Sequence, residues 1–225
     1  MDTHVTSKPK TSGNPRKASL THEDFVDAAV RLAKHHGLSK LTMRLLAEEL
    51  NVSPMALYYY IPNKEALFEL TVDAIFAQIK IPTRRKNSSW RSQYLALDRA
   101  SKAVTDQFPD YGAVILDIPV TPNGSRVIHA ALEILLDAGF NEEEAMKAYS
   151  MIHTYSVGRL LVETNIRTKL TQKKPSSTSR NKADNSDRFR PYLANIKGFQ
   201  YQSYAINSIL DALDQQLQAK KSKKK

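Results

Sequence analysis

The chain has 225 residues, no cysteine and a formal net charge of +10, with pI ≈ 9.6. Without cysteine, disulfides, thiolate metal sites and a cysteine nucleophile are excluded. No apolar stretch approaches the length of a membrane span and the polar N-terminus has no signal-peptide core, so a cytoplasmic protein with no membrane partner is expected.

The length allows one large or two small domains. Hydrophobic residues make up 41% and charged residues 25%, enough apolar material for a packed core. Glycine is scarce at 7 residues and no run alternates apolar with polar, which points to an all-α chain. The positive charge suits a polyanionic partner.

Residues 1–18 hold almost nothing apolar and read as a disordered basic arm carrying Lys8, Lys10, Arg16 and Lys17. Two roles stay open for it: a solvated tail, or an arm that adds contacts to the polyanionic partner the charge suits. Thr21 with Asp24 resembles a capping box. The helix after it buries Phe25, Ala29 and Leu32 and stops at His35-His36-Gly37. Adjacent histidines share no helix face, so they read as a helix-end pair near the C-terminal dipole, not as metal ligands.

Residues 41–68 organise the chain. Thr42 can cap a helix bearing Leu45, Leu46 and Leu50, and Asn51 tolerates the left-handed backbone that closes it. Ser53 before Pro54 is a second start signal, and Pro62 leaves this helix room only to Tyr60. Asn63 caps a third helix carrying Leu67 and Phe68. Two short helices joined by a tight turn form a helix-turn-helix, whose second helix enters the major groove of DNA. Arg44 is expected to reach a base edge or adjacent phosphate, and Ser53, Pro54, Met55 and Ala56 to face bases. Thr42, Tyr58, Tyr59 and Lys64 are expected to hold phosphates. The consecutive Tyr58, Tyr59 and Tyr60 point in different directions on a helix, so they cannot all be core. The competing view is that any all-helical domain contains capped short helices, and that a tyrosine run packs on a neighbour.

This stretch resembles the DNA-binding signature of the tetracycline-repressor (TetR) family of bacterial transcription regulators. The matching residues are Leu41-Thr42-Met43-Arg44, Leu46-Ala47-Glu48-Glu49-Leu50, Val52-Ser53 and Leu57-Tyr58, with Asn63-Lys64-Glu65-Ala66-Leu67. Asn51 departs from the glycine usual there, but asparagine is its commonest substitute in that conformation. The resemblance implies a DNA-binding domain over 19–80, including a connector helix from Lys64 to about Lys80, and a homodimer on a palindromic operator. Pro82 ends the connector, and 83–89 is a basic link.

A helical regulatory and dimerisation domain is expected over 81–217. Trp90, Tyr94, Leu97, Ser101, Val104 and Phe108 form one stripe, closed by Pro109. Residues 112–118 are short and apolar, and Pro119 and Pro122 bracket a loop. Ser125 or Asn123 caps a largely buried helix ending at Gly139. Asn141 with Glu144 makes another capping box, starting a helix that extends to about Thr168. Residues 169–190 read as a flexible loop. A last helix from about Gly198 keeps Ile206, Leu210, Leu213 and Leu217 at heptad-like spacing, expected as the dimer interface with the small Ser150, Ser156 and Gly158 of the preceding helix. Residues 218–225 form a lysine-rich tail.

The pattern Trp90-Arg91, Phe108-Pro109, Pro122-Asn123-Gly124 and Ala138-Gly139-Phe140 is similar to the regulatory domain of the subgroup containing the tetracycline repressors. The positions that would hold tetracycline and its magnesium are mostly not kept, with Ile115 near the place of the drug-binding histidine. No tetracycline, no metal and no cofactor are therefore expected. Tyr94, Leu97, Ser101, Ile115, Leu132, His153 and Val157 are the expected lining of a small-molecule pocket. Because this set shows no clustered charge, its ligand is expected to be mostly apolar with one or two polar groups. An ordinary core without a cavity is the alternative.

The resulting expectation is a ligand-responsive transcription repressor and not an enzyme. There is no Gly-rich phosphate loop, and His129 and His153 stand isolated. A helical enzyme, or a protein-interaction adaptor without operator binding, is the reading that salt-dependent binding to duplex DNA separates from it.

Overall fold

Each of the first helices starts on a side chain that accepts from an otherwise unpaired backbone amide. The structure, a computed structural model, describes residues 20–83, 87–172 and 202–222. Among these residues lie nine α-helices and no strand: α1 (His22–His36), α2 (Met43–Leu50), α3 (Pro54–Tyr58), α4 (Lys64–Ala77), α5 (Trp90–Thr105), α6 (Tyr111–Val114), α7 (Pro122–Ala138), α8 (Glu142–Gln172) and α9 (Gln202–Ser222). Short 3₁₀ turns follow α1 at Leu38–Lys40 and α6 at Ile115–Asp117.

At α1 the Thr21 hydroxyl accepts from the Asp24 amide and the Asp24 carboxylate accepts from the Thr21 amide, closing a capping box. Thr42 caps α2, Ser53 caps α3 and Asn63 caps α4 in the same sense. Asn51 closes α2 in the left-handed region, at φ 53° and ψ 47°. The Asn141–Glu144 box is also formed. One start differs from expectation. Neither Asn123 nor Ser125 caps α7; Thr121 does, accepting from the Gly124 amide at 3.2 Å, and Pro122 is the first helical residue. Proline fits there because it lacks an amide that would need a partner and its φ is already helical.

The helices bury three adjoining clusters. In the first, α1 to α4 bury Phe25, Leu32, Leu46, Leu57 and Leu67 under the helix-turn-helix. The second gathers Ala33 and Leu38 from the end of α1 and its turn, Val72 and Ile75 from α4, and Val104, Phe108 and Tyr111. The third joins α5, α7, α8 and α9 through Tyr94, Leu97, Leu135, Ile152, Leu210 and Leu213. Thus α4 contributes to the first cluster at one end and to the second at the other.

This arrangement corrects the reading of the last helix. Ile206, Leu210, Leu213 and Leu217 are buried in the chain's own core, Leu213 to 3% exposure, so they cannot be the surface offered to a second copy. An apolar seam at three-four spacing must be covered, and here α5, α7 and α8 cover it. Trp90 and Arg91 fix the packing: the indole donates to Asp214 at 3.0 Å, and the guanidinium pairs with Asp211 and Asn207. The helices also run further than expected. α8 takes in residues 169–172 and α9 takes in 218–222. The basic arm at 1–18, the rest of the 169–190 loop and the last three lysines lie outside the described residues.

Candidate nucleic-acid interface and effector cavity

The helix-turn-helix presents its second helix outward because only one of its residues is anchored. Leu57 is fully buried, while Pro54, Met55, Ala56 and Tyr58 on the other sides of α3 are exposed. Met55 is 75% and Tyr59 92% exposed, a degree of apolar display that a helix without a partner does not need. Tyr58 and Tyr60 are exposed as well, and Tyr60 tilts over Phe25 with ring centroids 4.7 Å apart. Thr42 and Ser53 are exposed at their caps, their hydroxyls accepting from Leu45 and Ala56 amides. Arg44 is 85% exposed in its side chain and bonded to Glu48 one turn on, at 2.9 Å. This exposed i,i+4 pair is weak enough to exchange for a phosphate or a base edge. Lys64 stands at the N-terminus of α4 with its ammonium 4.9 Å from the centre of the Phe68 ring. All nine residues expected at the DNA are therefore exposed on α2, α3, their caps and the start of α4.

The head is held to the rest of the chain by polar bonds across long sequence gaps. Asp110, in the turn before α6, accepts from the Leu38 amide at 2.6 Å and the Ser39 amide at 2.8 Å. Gly37 makes room for it: φ is 94°, and a Cβ there would lie 2.9 Å from the Asp110 carboxyl atoms. Lys34 donates to Gln107 at 2.8 Å. On α4, Asp73 accepts from the Asn123 amide and side chain, both at 2.7 Å, and Arg126 donates to the Phe76 and Ile79 carbonyls. Burial raises the Asp73 carboxyl, but these Asn123 bonds, Thr121 and the Arg126 charge outweigh it, and the group sits below its ordinary value.

Beyond this seam lies a cavity of about 390 Å³ between α4, α5, α6, α7 and α8. Tyr94, Leu97, Ser101, Ile115, His153 and Val157 line it, but Leu132 does not: it packs against the third cluster. Phe76, Tyr111 and Tyr149 add aromatic walls, and the exposed Leu116 and Val120 stand at its rim. Tyr149 and His153 stack with ring centroids 5.3 Å apart. Burial holds the His153 imidazole below its ordinary value, so it is neutral at pH 7.

The lining is less uniform than the sequence suggested. Asp98, Lys102 and Arg159 are part of the wall, so the expectation of no clustered charge is corrected. Glu163, only 2% exposed, binds both cations: Lys102 at 3.0 Å and Arg159 at 3.1 Å. Lys102 also holds Asp106 at 3.0 Å. Sequence offered one signal for this group. Asp98 with Lys102 and Arg159 with Glu163 stand four apart, the spacing that puts two opposite charges on one helix face. Among the described residues no three His, Asp or Glu side chains are placed to hold a metal ion.

An exposed second helix on a capped scaffold, joined by one helix to a body that holds a cavity, defines a helix-turn-helix protein with a separate helical domain. Family comparison agrees. The model described as "Bacterial regulatory proteins, tetR family" matches residues 25–71, and that described as "Tetracyclin repressor-like, C-terminal domain" matches 82–197. The chain belongs to the TetR family of bacterial regulatory proteins, with a tetracycline-repressor-like C-terminal domain. It is 29% identical over 178 residues to an HTH-type transcriptional regulator of Saccharopolyspora erythraea, 71% of this chain and 74% of that one. It is 31% identical over 143 residues to the HTH-type transcriptional repressor DrrR1 of Streptomyces coeruleorubidus, 63% and 53% of the two chains. The fold matches a possible TetR family transcriptional regulator from Streptomyces coelicolor A3(2), with a TM-score of 0.71 at 22% identity, over 85% of this chain and 98% of that chain.

Proposed function

We propose that this protein is a cytoplasmic transcription repressor that leaves a palindromic DNA operator when a small, mostly apolar molecule fills its cavity. The observation that carries this is the course of α4. Phe76 near its C-terminus forms part of the cavity wall, while Leu67 near its N-terminus packs with Leu57 beneath the recognition helix. Whatever occupies the cavity acts on the element that sets the attitude of the reading head.

In the DNA complex, Ser53, Pro54, Met55 and Ala56 face base edges, with the Met55 and Ala56 groups against thymine methyls. Arg44 gives up Glu48 for a base edge or phosphate, and Thr42, Tyr58, Tyr59 and Lys64 fix register on the backbone. Two heads entering successive major grooves must stand about 34–36 Å apart, which requires a two-fold dimer. The surface for that dimer is the outward stripe of α8. Met151, Gly158 and Val162 recur at seven and four residues and are exposed, and nothing lies within 4 Å of a Cβ at Gly158. Ser156, by contrast, lines the cavity. The ligand shifts the spacing of the heads only as far as its affinity differs between the two spacings. No catalytic step is assigned to the protein.

Selection of bound duplexes from a random pool tests the reading. The recovered site should be an inverted repeat whose affinity falls steeply with salt. Recovery of no common sequence, or affinity indifferent to salt, overturns it.

A further inference from the structure

The charged end of the cavity is not balanced. Lys102 and Arg159 face two carboxylates already bound to them, Glu163 and Asp106, at 3.0 to 3.1 Å. Those four groups cancel. Asp98 is the fifth, and it lines the cavity without any hydrogen bond or ion pair to another described residue. The nearby cations act on it only at longer range, together with the exposed Arg99. Burial raises its carboxyl, the positive charges of Arg159, Lys102 and Arg99 work against this, and Glu163 adds to it; the group ends above its ordinary value. Its ionised form is therefore short of solvation and of partners.

The surroundings favour a cation from outside. Tyr94 stands beside Asp98 and Tyr149, and burial keeps both phenols protonated by raising them. Aromatic faces attract cations, and the neutral His153 adds no opposing charge. A carboxylate ligand would meet the opposite situation, since the two cations are engaged and the free group is negative.

We propose that the effector of this cavity is an apolar aromatic molecule bearing a protonated amine, held by the Asp98 carboxylate against the faces of Tyr94 and Tyr149. This rests on the cavity being the effector site and specifies its ligand.

Three dansyl probes with one body and similar linkers test it: dansylcadaverine with a terminal ammonium, N-dansyl-5-aminopentanol, and N-dansyl-6-aminohexanoate. Their fluorescence on titration into the full-length protein gives affinities without DNA. The amine should bind about tenfold to hundredfold more tightly than the alcohol, the factor of a charge-assisted hydrogen bond, and the carboxylate weakest. Asp98→Asn should bring the amine to the level of the alcohol, with a melting curve confirming that the variant is folded. The ranking of the three probes on the unaltered protein decides the matter even if the variant does not fold. Equal binding of all three, a preference for the carboxylate, or a preference for the amine that survives in folded Asp98→Asn overturns the assignment of charge and leaves the cavity standing as an effector site. If none of the three binds, the charge assignment and the effector-site reading fall together.

Discussion

Removing the Asp110 carboxylate should loosen the reading head from the body. In Asp110→Ala two amides, of Leu38 and Ser39, lose an acceptor now 2.6 and 2.8 Å away. Bonds to a charged acceptor contribute about 1.5–3 kcal/mol each where water is excluded. Here Ser39 is exposed and water can replace part of the loss, so about 2 kcal/mol for the pair is the expected cost. For a chain of this size that is a fall of about 4–8 °C in melting temperature at fixed protein concentration. Gly37 supplies a second arm. Gly37→Ala places a methyl in a backbone region reserved for glycine and against Asp110, since φ is 94° and the carboxyl lies 2.9 Å away. The backbone strain, about 1–3 kcal/mol, persists in either background, but the collision exists only while Asp110 is present. Urea denaturation of both single variants and the double variant gives the cycle, and Gly37→Ala should cost about 1 kcal/mol less in the Asp110→Ala background. An unchanged midpoint for Asp110→Ala, or strict additivity in the cycle, would refute the idea that this carboxylate clamps the turn.

Lys64→Ala should weaken all duplexes alike and lower the slope of log affinity against log salt by about 1, read by titration at several salt concentrations. Arg44→Ala should cost about 1–3 kcal/mol on the selected site and relax one position of it in a repeat selection; full retention of both would place Arg44 outside the base contacts. Val162→Glu should give folded monomers in sedimentation, whereas Leu213→Asp, with its charge forced into the core at 3% exposure, should fail to fold at all. A folded Leu213→Asp monomer would restore the seam as an interface. Asp73 is held below its ordinary value, so the folded group titrates lower than the unfolded one. Its bonds to α7 stabilise the fold above the ordinary carboxylate value of 3.8 and are lost as pH falls through the lower folded value. Asp73→Asn should therefore flatten acid unfolding in that window; an identical acid limb counts against the bond.

Local signals in the sequence carried the head. Thr21 with Asp24, Thr42, Ser53 before Pro54, and Asn63 act within three residues of themselves, so their caps and the helices they start were legible. The start of α7 was not legible, because two nearer cap candidates, Asn123 and Ser125, compete in the sequence with Thr121, which caps the helix with Pro122 as its first residue. Periodicity shows which side of a helix is apolar, and cannot tell whether that side meets its own chain or a copy. The seam of Leu210 and Leu213 therefore looks in sequence like a surface for a partner, whereas α5, α7 and α8 cover it. The same holds for Leu132: α7 is apolar on several sides, and only packing decides which one borders the cavity. Asp110 had no local signal, because its partners are 71 and 72 residues away.

That last distance bears on how the protein can be rebuilt. TetR-type proteins invite chimeras in which a head of one specificity is grafted to a body that senses another molecule. Here the cut cannot fall cleanly between the two. The 37–39 turn is shaped around Asp110, Lys34 is bonded to Gln107, and Asp73 is bonded to Asn123. A graft that carries only the helix-turn-helix into a foreign body leaves Gly37 around an empty corner and the Leu38 amide unmet. A sensor made that way would bind its operator and its ligand separately without one reporting on the other. Transplanting 107–110 and 121–126 together with the head keeps the donor and acceptor of each bond in the same parent.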